Sequence, residues 1–161
     1  MGVSGTGKST VAQGLAATLG LVLAEGDDFH PDANIEKMSA GIPLTDSDRL
    51  PWLRALAEWT AARDAEGVST VLTCSALRVP YRDILRSATP GRPTYFVHLV
   101  GSPDVLSSRM ESREHFMPTS LLESQIATLE SLRDDEDGLV VDVDAPLEQV
   151  TARAVAWLTR L

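Results

Sequence analysis

The chain has 161 residues, 43% hydrophobic and 23% charged, which suits one globular domain around one core. Its net charge of −9 sets the surface against nucleic acid and anionic membranes, and no apolar run approaches the roughly 20 residues that cross a bilayer. The single cysteine, Cys74, excludes an internal disulfide and fits a reducing cytoplasm, and no basic-then-apolar leader is visible.

The first ten residues, MGVSGTGKST, hold the phosphate-binding pattern Gly2-x4-Gly7-Lys8-Ser9. Small residues let the backbone N–H groups from Gly2 through Ser4, Gly5, Thr6 and Gly7 to Thr10 surround an anion. Lys8 adds a point charge on the β- and γ-phosphates of a nucleotide, and the Ser9 hydroxyl is of the type that ligates Mg²⁺. Apolar residues at helical spacing predict a helix over 11–19, stopped by Gly20, whose positive end faces the same anion. Such a loop normally hangs from the end of a β-strand, yet only Met1 precedes it. The expectation is a sheet that lacks its first, central strand, so that the two strands beside it lose their shared partner.

Residues 21–23 predict a short strand running into Glu25-Gly26-Asp27-Asp28. Alternation along an extended backbone would put Glu25 and Asp27 on one side. One carboxylate there suits the outer shell of a metal ion, assigned to Glu25, and the other suits the proton of an attacking hydroxyl, assigned to Asp27. Asp28 reads as a possible cap. Pro31, Gly41 and Pro43 predict loop over 30–43, with at most one helical turn. A long helix is expected over 46–66, with Leu53, Leu56 and Trp59 on one stripe and Gly67 as its stop. Strands are expected over 68–74, 94–100 and 139–143, and helices over 80–87, 103–113, 118–132 and 146–161, the last with Trp157 inward. The run RDDED at 133–137 reads as a solvated loop. Strands alternating with helices predict a three-layer α/β fold, a parallel sheet covered on both faces, in a single domain over 1–161.

Three blocks then carry a resemblance. GDDFHPDANIEKMSAGIPLTDSDRLPWL, TCSALRVPYRDILR and REHFMPTSLLESQIATLE resemble the gluconokinases of the shikimate-kinase-like phosphate-loop group, along nearly the whole chain from Gly2 to Pro146. The resemblance implies a nucleoside-monophosphate-kinase-like phosphate-loop fold, with ATP and Mg²⁺ as cofactors and D-gluconate as acceptor. The 6-hydroxyl takes the γ-phosphate, and a homodimer is implied. It further implies that Asp27 holds the acceptor hydroxyls and that His30 borders the sugar. Arg49 looks like a carboxylate anchor, and Arg82 like a second substrate arginine. Arg109 and Arg113 match lid arginines that fold over ATP, and His115 lies in the same lid. Asp144 and Pro146 lie in the loop beside the adenine. The lid spans about 109–120 and the substrate segment about 28–60. Glu25 departs from the family, where many relatives carry Asp.

The chemistry asks for such a set. A polyol needs short donors and acceptors such as Asp27, His30 and Ser75, while a carboxylate suits the planar fork of arginine. Each arginine also has a plain alternative: Arg49 paired with Asp46 or Asp48, Arg82 with Asp83, and Arg109 and Arg113 with Glu111 and Glu114. Zinc spacing is absent from His30, His115 and Cys74, and His98 reads as structural. Other readings are a kinase for another polyol acid such as shikimate, a nucleoside monophosphate kinase, or a nucleotide-binding protein without turnover.

Overall fold

The computed structural model describes residues 1–111 and 120–161. Helix α1 (Lys8–Leu19) leaves the phosphate loop through Gly7 at φ 84 and ends at Gly20, also left-handed, whose N–H bonds back to Ala16. Strand β1 (Val22–Glu25) follows, and Gly26–Phe29 closes it with a 3₁₀ turn. The segment 30–43, expected as loop, contains helix α2 (Asp32–Ser39). Pro31 and Pro43 flank this helix without interrupting it, and its inner face is only Asn34 and Met38, too little to show a helical period in the sequence. Met38 packs there with Leu44 and Leu121.

Helix α3 (Asp46–Ala65) opens with a capping box, in which the Thr45 hydroxyl accepts from the Asp48 N–H and the Asp48 carboxylate accepts from the Thr45 N–H. It buries Trp52, Leu53 and Leu56, while Trp59 meets the Phe29 ring edge-on. Strand β2 (Thr70–Thr73), helix α4 (Val79–Arg86), strand β3 (Phe96–Val100), helix α5 (Pro103–Glu111), helix α6 (Ser120–Thr128), strand β4 (Gly138–Asp142) and helix α7 (Leu147–Leu158) complete the described chain. The half-buried Trp157 on α7 packs edge-on against Tyr95.

The sheet lies in two parallel halves. β1 pairs with β2, from Val22 opposite Thr70 to Glu25 opposite Thr73, and β3 pairs with β4, from Phe96 opposite Gly138 to Val100 opposite Asp142. The first two residues bridge them. Gly2 N–H donates to Ser75 O on the β2 side, Leu99 N–H donates to Met1 O, and the Met1 amine donates to Val97 O. Below that bridge the facing edges are separated by a cavity of about 480 Å³ lined by Leu15, Val71, Phe96, Val97 and Leu99 among others. The two half-sheets share no strand among the described residues. Burial pushes the Met1 amine down to about 5, with Lys8 adding to the effect. One apolar core still runs through both halves, from Val11 and Leu15 on α1 to Leu56, Leu77, Phe96, Leu99 and Val150. No helix among the described residues is long and apolar enough to cross a membrane.

Candidate active site

The phosphate loop is held in a tight, self-bonded form. The peptide joining Val3 to Ser4 is engaged at both ends: its carbonyl accepts from Thr6 Oγ1 (2.9 Å) and Lys8 Nζ (3.0 Å), and its N–H donates to Gln125 Oε1 (2.8 Å). Thr6 is fully buried, and its hydroxyl shapes the loop through Val3 O. Burial pushes the Lys8 ammonium below its ordinary value, opposed by the charge of Asp27, then Cys74 and Glu25. A Cβ at Gly7 would meet Leu147 Cδ2 at 2.7 Å, so α7 packs directly on the loop. The stretch 143–146 therefore lies beside it, with Asp144 N–H bonded to Asp142 Oδ1. Arg109 Nη2 donates to Val143 O at 2.7 Å, which brings this arginine to the same place as Asp144 and Pro146.

The two acids separate. β1 ends at Glu25, and the 3₁₀ turn replaces the extended backbone that was expected to carry Glu25 and Asp27 on one side. Glu25 Oε2 accepts from Ser9 Oγ (3.0 Å) and Thr73 Oγ1 (2.7 Å), while its Oε1 is buried with no partner among the described residues. Asp27 instead reaches the cleft lined by Ser4, Lys8, His30, Arg49, Ser75 and Gln125. Gly26 makes the turn possible, because a Cβ there would sit 1.9 Å from Thr73 O.

Across the cleft, His30 stacks on Trp52 (4.2 Å between ring centroids, 16° between planes), and Trp52 Nε1 donates to Gly26 O at 2.7 Å. Trp52 is thus packing that sets the floor of the site. Burial pushes His30 down to about 4, so its ring is neutral at physiological pH and its Nδ1 meets Asn34 Nδ2 at 3.3 Å. Arg49 makes no hydrogen bond to Asp46 or Asp48, and only its charge reaches Asp46: Asp46 is bonded by Arg78 and Tyr81, and Asp48 by Lys37 and Thr45. Its guanidinium lies over the Tyr81 ring, 5.9 Å from the centroid, at the cleft wall.

Arg82 is a correction. It was expected to meet substrate, or else Asp83, and does neither. It is 0% exposed, grips Glu136 through Nε (2.6 Å) and Nη2 (2.7 Å), and donates to the carbonyls of Ala76, Glu130 and Ser131. Ala76 has a left-handed backbone at φ 45, so Arg82 braces the strained loop that carries Ser75. The RDDED loop is corrected with it: Asp134 and Asp135 are exposed, but Glu136 turns inward as the partner of Arg82 and Arg86. Arg113 and His115, expected in the lid, lie outside the described residues. Cys74 is buried, and burial pushes its thiol up to about 11, which makes it a core residue. His98, also buried, is held down to about 4.

A sequence profile described as an AAA domain matches residues 1–132. The chain is 55% identical over 137 residues to a gluconokinase of Gluconobacter oxydans, covering 84% of this chain and 76% of the relative. A sugar kinase from Janibacter sp. HTCC2649 superposes with a TM-score of 0.94 at 56% identity, over 99% of this chain and 91% of that one. A gluconokinase from Sinorhizobium meliloti 1021 superposes with a TM-score of 0.89 at 49% identity, over 99% and 89%. The chain belongs to the gluconokinase family.

Phosphate-loop kinases use ATP together with a divalent ion. Ser9 Oγ and Glu25 are adjacent, and Glu25 Oε1 is an orphaned buried oxygen, so this pair fits a hard cation of the Mg²⁺ type. Sequence reasoning missed Thr73, which locks Glu25, and Gln125, which reaches the phosphate loop from α6. Thr73 was hidden inside an ordinary strand. Gln125 stood inside the family block REHFMPTSLLESQIATLE, whose polar residues were the one available signal.

Proposed function

We propose that the protein transfers the γ-phosphate of ATP to the 6-hydroxyl of D-gluconate, giving 6-phospho-D-gluconate. The observation that carries this reading is the cleft in which Asp27, His30, Arg49 and Ser75 face Lys8 and the phosphate loop. Arg49, with no acid on its guanidinium among the described residues, offers a fork to the acceptor carboxylate. His30 and Ser75 offer short polar contacts to the polyol, and Asp27 takes the proton of the attacking hydroxyl. Lys8, released from Val3 O, neutralises charge on the γ-phosphate, and Arg109 and Arg113 add to it from the lid. Gly2, Gly5, Gly7 and Thr10 cradle the phosphates with Ser4 and Thr6, and Asp144 and Pro146 border the adenine. Ser9 and Glu25 are the residues that would hold Mg²⁺, which would supply charge neutralisation on the phosphates. Arg82 is left out of the acceptor set, for the burial described above.

The reading extends to a cytoplasmic homodimer, supported by the family resemblance and the reduced, buried Cys74; a sedimentation mass of two chains tests the dimer. The activity is tested by ATP-dependent ADP release with gluconate, shikimate, glucose, glycerate and AMP in parallel. Turnover with gluconate above all others is expected. Preference for shikimate or AMP, or nucleotide binding with no turnover of any acceptor, overturns the proposal.

A further inference from the structure

We infer that Gln125 is a positioning residue that sets the phosphate loop from the acceptor side of the cleft. Its carboxamide oxygen accepts the Ser4 N–H at 2.8 Å, and the side chain is buried, with 8% exposed. The bond fixes more than one donor. The opposite end of the same peptide, Val3 O, is the acceptor for both Lys8 Nζ and Thr6 Oγ1. A peptide is a rigid plane, so holding its N–H fixes the direction of its carbonyl. If the plane turned, the Ser4 bond, the Thr6 bond and the resting place of Lys8 would be lost together. Gln125 therefore holds the loop in the shape from which Lys8 moves to a phosphate, and its contribution is pre-organisation.

The side chain also joins two parts of the site. Leu121, Ser124 and Gln125 project from α6 into the cleft that holds Asp27, His30, Arg49 and Ser75, and α6 begins directly after the segment 112–119. Leu121 packs on Met38 of α2, in the segment expected to bind the acceptor. Gln125 therefore stands between the acceptor side of the cleft and the phosphate loop, lining the one and bonded to the other. The polarity of the amide matters for this role: an N–H must be met by an oxygen, so only a side chain with an acceptor at that length can substitute.

This inference rests on the kinase reading for its meaning, but its test does not need turnover. Gln125→Met keeps the length and removes the acceptor; Gln125→Glu keeps an oxygen. Amide hydrogen exchange at Ser4 and the dissociation constant for the non-hydrolysable analogue AMPPNP with Mg²⁺ are measured on the full chain. In Gln125→Met, Ser4 exchange is expected to quicken by about 10-fold or more, and AMPPNP binding to weaken by about 10-fold, the loss of one well-placed hydrogen bond. In Gln125→Glu, Ser4 protection is expected to remain near wild type. Either quantity staying within about twofold of wild type in Gln125→Met overturns the inference. Should Gln125→Met fail to fold, loss of Ser4 protection in folded Gln125→Glu overturns it instead. Absence of gluconate turnover by the wild-type chain would sink the functional reading alone, since neither readout uses an acceptor.

Discussion

At the scale of single residues, the 3₁₀ turn after β1 separates two carboxylates that lie two positions apart. Glu25 is locked by Ser9 and Thr73 hydroxyls on the metal side, and Asp27 is exposed in the cleft with Lys8, His30 and Arg49. Their substitutions should therefore behave differently. Asp27→Asn keeps the shape and removes the proton acceptor, so kcat is expected to fall by about 100-fold or more, the scale of general-base catalysis, with ATP affinity little changed. Single-turnover kinetics with a separate nucleotide titration check this; near-wild-type turnover would take Asp27 out of that role. Arg49→Ala is expected to raise KM for gluconate by about 10-fold or more while KM for ATP stays within about twofold, because a charge-assisted fork contributes only where the carboxylate sits. Equal rises in both constants would mean that Arg49 organises the cleft as a whole.

At the scale of elements, Arg82 shows how a motif read for function can serve the frame. On α4 it faces inward and ties that helix to Ala76, to the stretch 130–131 that follows α6, and to Glu136 before β4. A buried pair loses heavily when one partner goes, since the other is stranded without water. Arg82→Ala is expected to destabilise the fold by about 3–5 kcal/mol, and Glu136→Gln to destabilise it less, because an amide oxygen still accepts. Urea denaturation measures both. If Arg82→Ala were stable and instead raised KM for gluconate alone, the burial argument would fail. The helices with strong stops, such as α1 before Gly20 and α3 before Gly67, were legible because Gly at left-handed positions leaves a local mark. Lys8, Asp27, His30 and Arg49, singled out from loop and turn motifs, line one cleft for the same reason, that loop and turn chemistry is local. Helix α2 was not legible, since its one buried apolar residue, Met38, packs on Leu44 just beyond the helix and on Leu121 from a distant segment. Nor was the inward turn of Glu136, because the surrounding charges of RDDED look alike until Arg82 arrives from α4.

At the scale of the whole molecule, proton linkage follows from what the core has buried. Burial holds His30 and His98 at about 4 and the Met1 amine at about 5, all below their ordinary values. His98 sits near the Met1 amine, Arg82 and Glu136, and neither of its ring nitrogens has a partner among the described residues. For each group the folded state resists the proton that the unfolded chain accepts. Their full stability is present above about pH 8, and it is lost as pH falls, through 8 to 5 for the amine and 6.5 to 4 for the histidines. Asp48 and Glu136 act in a lower window. Held at about 2, chiefly by Lys37 and Arg82 respectively, they contribute fully above their ordinary values of 3.8 and 4.5 and lose that contribution as pH falls towards 2. The expected curve is therefore a steady decline in urea midpoint from pH 8 to 4.5 that steepens below it. His98→Leu tests the assignment, since it removes one buried titrating ring from β3 without touching the cleft. That variant should flatten the decline between pH 6.5 and 4 relative to wild type. An unchanged slope would mean that His98 takes up its proton in the folded state as readily as in the unfolded chain, and that the acid sensitivity belongs to His30 and the amine.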